Sequence, residues 1–271
     1  MLWHYLRQKL PPGLKIAFRR LRARALDPFD RGTLVTISGQ EVLVPSYFRG
    51  GGREDYENIA VARFVEWLAT APDALVVDCG CSISNYGLIA LTRNPTVELV
   101  GIDPDLVSLK CTRALCAKTA QPERLRLIQG FLGPVAPAQS GRTDAETATA
   151  RALDDPDVPS VVEATGYRET TDAAFAAVPR HSIDALFAKE TGPRPRLLKL
   201  DVEGFELSVL EGAAGFLRRL RPTILLSSHP QFHAALGTSP EALQAFLRAN
   251  GYRCTHLATD HEEHWWCVPV A

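Results

Sequence analysis

The segment Leu198-Lys199-Leu200-Asp201-Val202-Glu203-Gly204 sets Lys199, Asp201 and Glu203 two residues apart. If the chain is extended through Glu203, the three share one face. A carboxylate there can position an acceptor hydroxyl or take its proton, and a neighbouring lysine can orient the acids. The plainer reading is a local ion cluster that only neutralises charge. Glu206 and Glu211 read as ordinary helix acids. His229, after the apolar run Ile224-Leu225-Leu226, is the alternative base.

A second group is Asp78, Gly80, Ser82 and Ser84 in Val77-Asp78-Cys79-Gly80-Cys81-Ser82-Ile83-Ser84, together with Asp103 in Gly101-Ile102-Asp103-Pro104. An apolar strand that bends at a glycine and then enters a helix brings backbone close beneath a ligand. The helix N-terminus offers N–H groups to an anion. An acid at the end of the next strand can accept both hydroxyls of a ribose. The turn is not G-x-G-x-x-G: Ser82 and Ser84 replace glycines that pyrophosphate approach requires, and no Walker sequence is present. S-adenosyl-L-methionine, with ribose hydroxyls and a carboxylate but no phosphate, fits better, with Asp78 near its ammonium group. The alternatives are a non-catalytic S-adenosylmethionine-binding protein and, disfavoured by the missing glycines, an NAD-type oxidoreductase.

His229, His233, His256, His261 and His264 are close enough in sequence to be considered as ligands. There is no H-E-x-x-H and no C-x-x-C, so no metal is expected. Cys79, Cys81, Cys111, Cys116, Cys254 and Cys267 read as small hydrophobes in a reducing cytosol.

These groups need a scaffold. Strands are predicted at Leu75–Cys79, Glu98–Asp103, Arg124–Gln129, Arg196–Val202 and Thr223–Ser228, with helices at Asn85–Thr92, Asp105–Thr119, Glu206–Leu220 and Pro240–Asn250 between or after them. Apolar strands alternating with helices mean an α/β fold with a parallel sheet covered on both faces. Tyr252–Ala258 and His264–Val270 are joined by too short a loop to cross over, so they pair antiparallel. Ahead of the sheet come a hairpin, Thr33–Ser38 with Glu41–Pro45, and a helix at Tyr56–Ala69 whose apolar face is Ile59, Ala62, Phe64, Val65 and Leu68. Residues 133–180 read as an irregular insertion, with a short strand at Ser160–Val162.

The 271 residues are 46% apolar and 23% charged, with 30 basic against 31 acidic side chains. That balance excludes a disordered or collagen-like chain and a whole-surface nucleic-acid binder. No apolar run reaches the ~20 residues of a membrane span. Residues 1–52 form an extension and 53–271 the main domain. Residues 1–26 carry seven Lys and Arg, among them Arg19, Arg20 and Arg22, around Leu14, Phe18, Leu21 and Ala25 at helical spacing. This basic amphipathic helix packs on the domain or makes weak contact with an anionic membrane surface. With no signal-peptide pattern, a cytoplasmic location is expected, peripheral at the inner membrane surface if the helix adsorbs.

Taken in order, these pieces resemble the FkbM family of S-adenosylmethionine-dependent methyltransferases. Lys199-Leu200-Asp201-Val202-Glu203-Gly204-Phe205-Glu206 matches its K-x-D-x-E-G-x-E, and Val77–Ser84 is similar to its V-D-V-G-A-N-I-G. Ser182-Ile183-Asp184 resembles its S-L-D, and His264–Pro269 its last strand. The sequence departs from the pattern at Ser82 (Asn in the family), at Ser84 (Gly), and after Leu226, where an acid often stands. The resemblance implies a class I methyltransferase (Rossmann-like) sheet of seven strands with the last pair antiparallel. It also implies O-methyl transfer to a small-molecule or glycan acceptor: a sugar, glycolipid or polyketide hydroxyl.

Overall fold

The computed structural model describes residues 30–46, 55–135, 141–155, 158 and 177–270. The basic helix expected within residues 1–26 and the strand expected at Ser160–Val162 lie outside them.

The chain begins with a hairpin, β1 (Thr33–Ile37) and β2 (Gln40–Val44). Ser38 and Gly39 both take positive φ, the conformation a two-residue hairpin turn demands. Helix α1 (Asn58–Ala69) follows. Its buried face is Ala60, Val61, Phe64 and Leu68, whereas Ile59 is 56% exposed, so the expected apolar face is rotated.

Next come β3 (Leu75–Cys79), α2 (Asn85–Arg93), β4 (Glu98–Asp103), α3 (Leu106–Cys116), β5 (Leu125–Gln129) and the two-residue β6 (Phe131–Leu132). The described part of the expected insertion holds a helix, α4 (Arg142–Leu153), which the weak apolar periodicity hides: only Ala145, Thr149 and Leu153 are buried. The second half has β7 (Arg180–His181), α5 (Ile183–Leu186), β8 (Arg196–Leu200), α6 (Glu206–Glu211), α7 (Ala214–Leu220), β9 (Thr223–Ser228), α8 (Pro230–His233), α9 (Pro240–Ala249), β10 (Tyr252–Thr259) and β11 (Glu263–Pro269).

The main sheet has seven strands in the order β10-β11-β9-β8-β3-β4-β5. β9, β8, β3, β4 and β5 pair in parallel, and β11 runs antiparallel to both of its neighbours. The strand alternation and the antiparallel end are therefore as the sequence implies. β3 and β8 are buried at every position because helices cover both faces. One core lies between β3, β8, β9 and the helices α6, α7 and α9, around Phe216, Leu198 and Leu247. The other lies under α1 and α2 around Phe64, Ile89 and Leu99, and it takes in Ile37, Val42 and Val44 of the hairpin.

Three further expectations are corrected. The strand expected over Arg196–Val202 stops at Leu200, because Glu203 and Gly204 turn into positive φ. The helix expected over Glu206–Leu220 is two helices. It breaks at Gly212 and Ala213, and the Asp184 carboxylate takes the N–H groups of Gly215 and Phe216 at the start of α7. Finally, the register of β10 on β11 sets Cys254 opposite Cys267 with Cα atoms 4.0 Å apart, and the two form a disulfide. The other four cysteines are free and buried, as expected of small hydrophobes.

Candidate active site

The strands β3, β4, β8 and β9 run in parallel, so their C-terminal ends lie on one side, where ligands of such sheets bind. The turn after β3 is built by backbone. Gly80 has φ +76, and a Cβ there would sit 1.7 Å from the Asp201 carbonyl oxygen. No other residue fits. Ser82 and Ser84 also hold positive φ, 46° and 51°. The family's Asn and Gly are the residues that tolerate this conformation most readily, so the turn keeps its shape although its residue types differ.

The side chains lock that turn. Asp103 accepts the N–H of Ser82 (2.8 Å) and of Asp105 (2.9 Å), joining the turns that end β3 and β4. Ser84 Oγ donates to Asp78 at 2.8 Å. Burial pushes both carboxyls up, to about 6. For Asp78 the Lys199 ammonium and the Ser84 hydroxyl offset part of that rise, and for Asp103 the two backbone N–H groups do. Asp78, Gly80, Ser84 and Asp103 thus surround one turn, with Ser82 exposed on its outside.

Near the end of β8, Lys199 Nζ donates to Asp201 (3.1 Å) and to Ser227 Oγ (2.9 Å), and it lies 5.0 Å over the Tyr86 ring. Lys199 is 1% exposed. Burial alone would lower its basicity, but Asp201, Glu57, Glu262 and Asp78 outweigh that and hold it protonated.

His229 comes to this cluster from the end of β9 and is 4% exposed. Its Nδ1–H donates to Glu206 (2.8 Å), and its Nε2 faces Glu262 (2.6 Å), Asp201 (3.6 Å) and Glu203 (3.7 Å). Burial works against its charge, but the hydrogen bonds to Glu206 and Glu262 prevail and raise it to about 10. That favours the charged imidazolium, with both ring nitrogens turned to carboxylates.

Extended geometry does not continue to Glu203. Asp201 and Glu203 nevertheless both approach His229 Nε2; the Glu203 side chain is 71% exposed and that of Asp201 24%. Glu206 is not an ordinary helix acid. It is fully buried and accepts from Gly204 N–H (2.9 Å), His229 and His233 Nε2 (3.2 Å). The sequence reading also missed Glu57, whose Oε2 accepts the Tyr86 hydroxyl at 2.5 Å, and Glu262. Glu262 sits in His261-Glu262-Glu263-His264, and that mixed His and Glu run was the available signal. An apolar rim of exposed Phe205, Phe232 and Leu236 flanks the acids; Phe232 stacks near His229, and Gly204 packs against Phe232 and Leu236.

The Methyltransferase FkbM domain matches residues 82–254. The chain belongs to that family. The FkbM match spans the second half of the β3 turn, the Lys199–Glu206 segment and His229. Among solved structures, a methyltransferase FkbM from Methylobacillus flagellatus is 18% identical with a TM-score of 0.45, over 77% of this chain and 52% of that one. This chain therefore spans about half the length of that protein. A precorrin-6y C5,15-methyltransferase from Geobacter metallireducens is 12% identical with a TM-score of 0.44, over 79% and 88%. An O-methyltransferase family 2 protein from Planctomyces limnophilus, solved with apigenin, is 14% identical with a TM-score of 0.44, over 79% and 58%. No curated protein matches this chain. Among the described residues no helix is long and apolar enough to cross a membrane.

Proposed function

We propose that this FkbM-family methyltransferase moves the methyl group of S-adenosylmethionine to a hydroxyl of a small-molecule or glycan acceptor. The observation that carries the reading is the contact of two turns. Gly80, in the turn assigned to the cofactor, lies backbone to backbone against Asp201, and the Asp201 N–H donates to Cys79 O at 3.0 Å. A donor bound over β3 and β4 would have its methyl group beside the Lys199–Asp201–His229 cluster.

In this reading Asp103 accepts the ribose hydroxyls and Asp78 faces the ammonium group of the cofactor. The acceptor oxygen attacks the methyl carbon, the carbon–sulfur bond breaks with its electron pair going to sulfur, and S-adenosylhomocysteine leaves. Asp201 holds the acceptor hydroxyl in line and takes its proton. Lys199, buried and bonded to Asp201, positions that carboxylate, and Glu203 lines the mouth. His229, already charged, keeps the neighbouring carboxylates in place. The apolar rim of Phe205, Phe232 and Leu236 favours an acceptor with an apolar body behind its hydroxyl, such as a glycolipid or a polyketide. Use of S-adenosylmethionine favours the cytoplasm, where that donor is made.

Asp201→Asn tests the assignment. It keeps the shape and one acceptor oxygen but cannot take a proton. S-adenosylhomocysteine binding is expected to stay within a few-fold of wild type while methyl transfer falls by about 10²–10⁴. Wild-type turnover in that variant removes Asp201 from the chemistry.

A further inference from the structure

We propose that Glu57, His261 and Glu262 form a divalent-cation site beside the acceptor cluster. The three come from separate parts of the chain: Glu57 precedes α1, and His261 and Glu262 lie in the loop between β10 and β11. One ligand atom from each falls within 4.8 Å of the others. His261 Nε2 is 3.9 Å from Glu57 Oε1 and 3.8 Å from Glu262 Oε1.

Two facts point to a ligand here rather than to an ion cluster complete in itself. First, Glu57 Oε1 and Glu262 Oε1 are buried oxygens without a hydrogen-bond partner among the described residues, although the Tyr56 hydroxyl also bonds the Glu57 carboxylate. Their side chains are 0% and 2% exposed. The other oxygen of each is already engaged, Glu57 Oε2 by the Tyr86 hydroxyl and Glu262 Oε2 by His229. A buried acceptor without a donor costs about 1–3 kcal/mol, more when it is charged. Here two converge on the same point. At 3.8 and 3.9 Å the His261 ring is too far to donate to either, and so is His264 Nδ1, 3.8 Å from Glu262 Oε1.

Second, Asp260 Oδ1 lies 2.8 Å from His261 Nδ1. With Nδ1 against that carboxylate, the ring turns Nε2 toward the two glutamate oxygens, and a carboxylate beside the far ring nitrogen is a common companion of a metal-binding histidine. Ligand atoms of a bound first-row cation lie about 3.0–3.5 Å apart. His261 Nε2, at 3.8 and 3.9 Å from the two glutamate oxygens, would have to move in by a few tenths of an ångström, within reach of a side chain that is 61% exposed.

Two carboxylates and one imidazole suit a Mn²⁺- or Zn²⁺-type ion, and the exposed side of His261 leaves coordination positions open. A second grouping, Asp201, His229 and Glu262, is also within ligand distance. It is the weaker candidate, because both ring nitrogens of His229 are already taken by carboxylates. Glu262 joins the two groups: Oε2 holds His229, and Oε1 would hold the ion. An ion there could take the acceptor oxygen as a further ligand and make it more acidic. That role rests on the methyl-transfer reading, whereas binding of the ion does not.

The test uses the full chain stripped with a chelator and titrated calorimetrically with MnCl₂ and, separately, with ZnCl₂. One ion per chain is expected for at least one metal. His261→Ala alters an exposed side chain and should leave near-ultraviolet circular dichroism unchanged. That variant, like Glu57→Gln and Glu262→Gln, is expected to weaken the ion by about tenfold or more. Asp201→Asn should leave it bound. The proposal is overturned if neither metal binds, if binding survives His261→Ala, or if it disappears in Asp201→Asn, which would place the ion at His229. S-adenosylhomocysteine titrated into the same samples separates the two readings: a chain that binds the ion but not this product keeps the site and loses the methyltransferase assignment.

Discussion

Replacing Glu206 by Gln removes a charge and almost no volume. The carboxylate is fully buried and takes three donors, from Gly204, His229 and His233. An amide offers one acceptor oxygen and turns its NH₂ toward groups that are themselves donors. Breaking a buried pair in this way costs about 3–5 kcal/mol. The loss should depend on pH, with a sign that follows from the two partners. His229 is raised from its ordinary 6.5 to about 10, so its share is complete below 6.5 and is lost as pH rises through 10. For Glu206, burial pushes upward, but the bonds from His229 and Gly204 prevail and hold it below its ordinary 4.5. Its share is therefore present above 4.5 and lost only as pH falls below that. The pair contributes most between 4.5 and 6.5. Urea unfolding of wild type and Glu206→Gln in chelator should differ by about 3–5 kcal/mol near pH 6 and by clearly less near pH 10. A difference under about 1 kcal/mol at pH 6, or one equal at both pH values, would refute the account of Glu206 as the anchor of a charged His229.

Because burial lifts Asp78 and Asp103 to about 6, S-adenosylhomocysteine affinity should fall as pH drops through that value, measured by calorimetry. Asp103→Ala should weaken the same ligand by about tenfold to a hundredfold at neutral pH. Gly80→Ala forces a Cβ into the Asp201 carbonyl at positive φ and should lower stability by about 2–5 kcal/mol in urea; a change under ~1 kcal/mol would mean the turns can part. Thiol titration of the denatured, unreduced protein should find four groups rather than six. Reduction should destabilise the fold by roughly 3 kcal/mol, seen as a lower urea midpoint.

The sheet was legible because its signals are local. β3, β4, β8 and β9 are short apolar runs bounded by Gly, Asp or Pro, and their boundaries fall within two residues of expectation. Positions within a turn were legible for the same reason, as with Gly80. What stayed hidden depends on long-range approach. Glu57 meets Tyr86 and Glu206 meets His229 across many residues, and no spacing rule reports on either pair. The Cys254–Cys267 disulfide follows from a strand register that could not be assigned before the hairpin was seen. α4 is buried at only three positions along one edge, too few for a helical period to show.

The seat of Gly80 on the Asp201 carbonyl also bears on the order of events. Two peptide segments in such close contact have no slack between them, so the first cannot adjust to a bound molecule without displacing the second. Loading the methyl donor would therefore set the carboxylate that receives the other substrate. The kinetic expectation is a compulsory sequence, donor first and acceptor second. S-adenosylhomocysteine would then compete with the donor and not with the acceptor, and an acceptor analogue given alone would bind weakly.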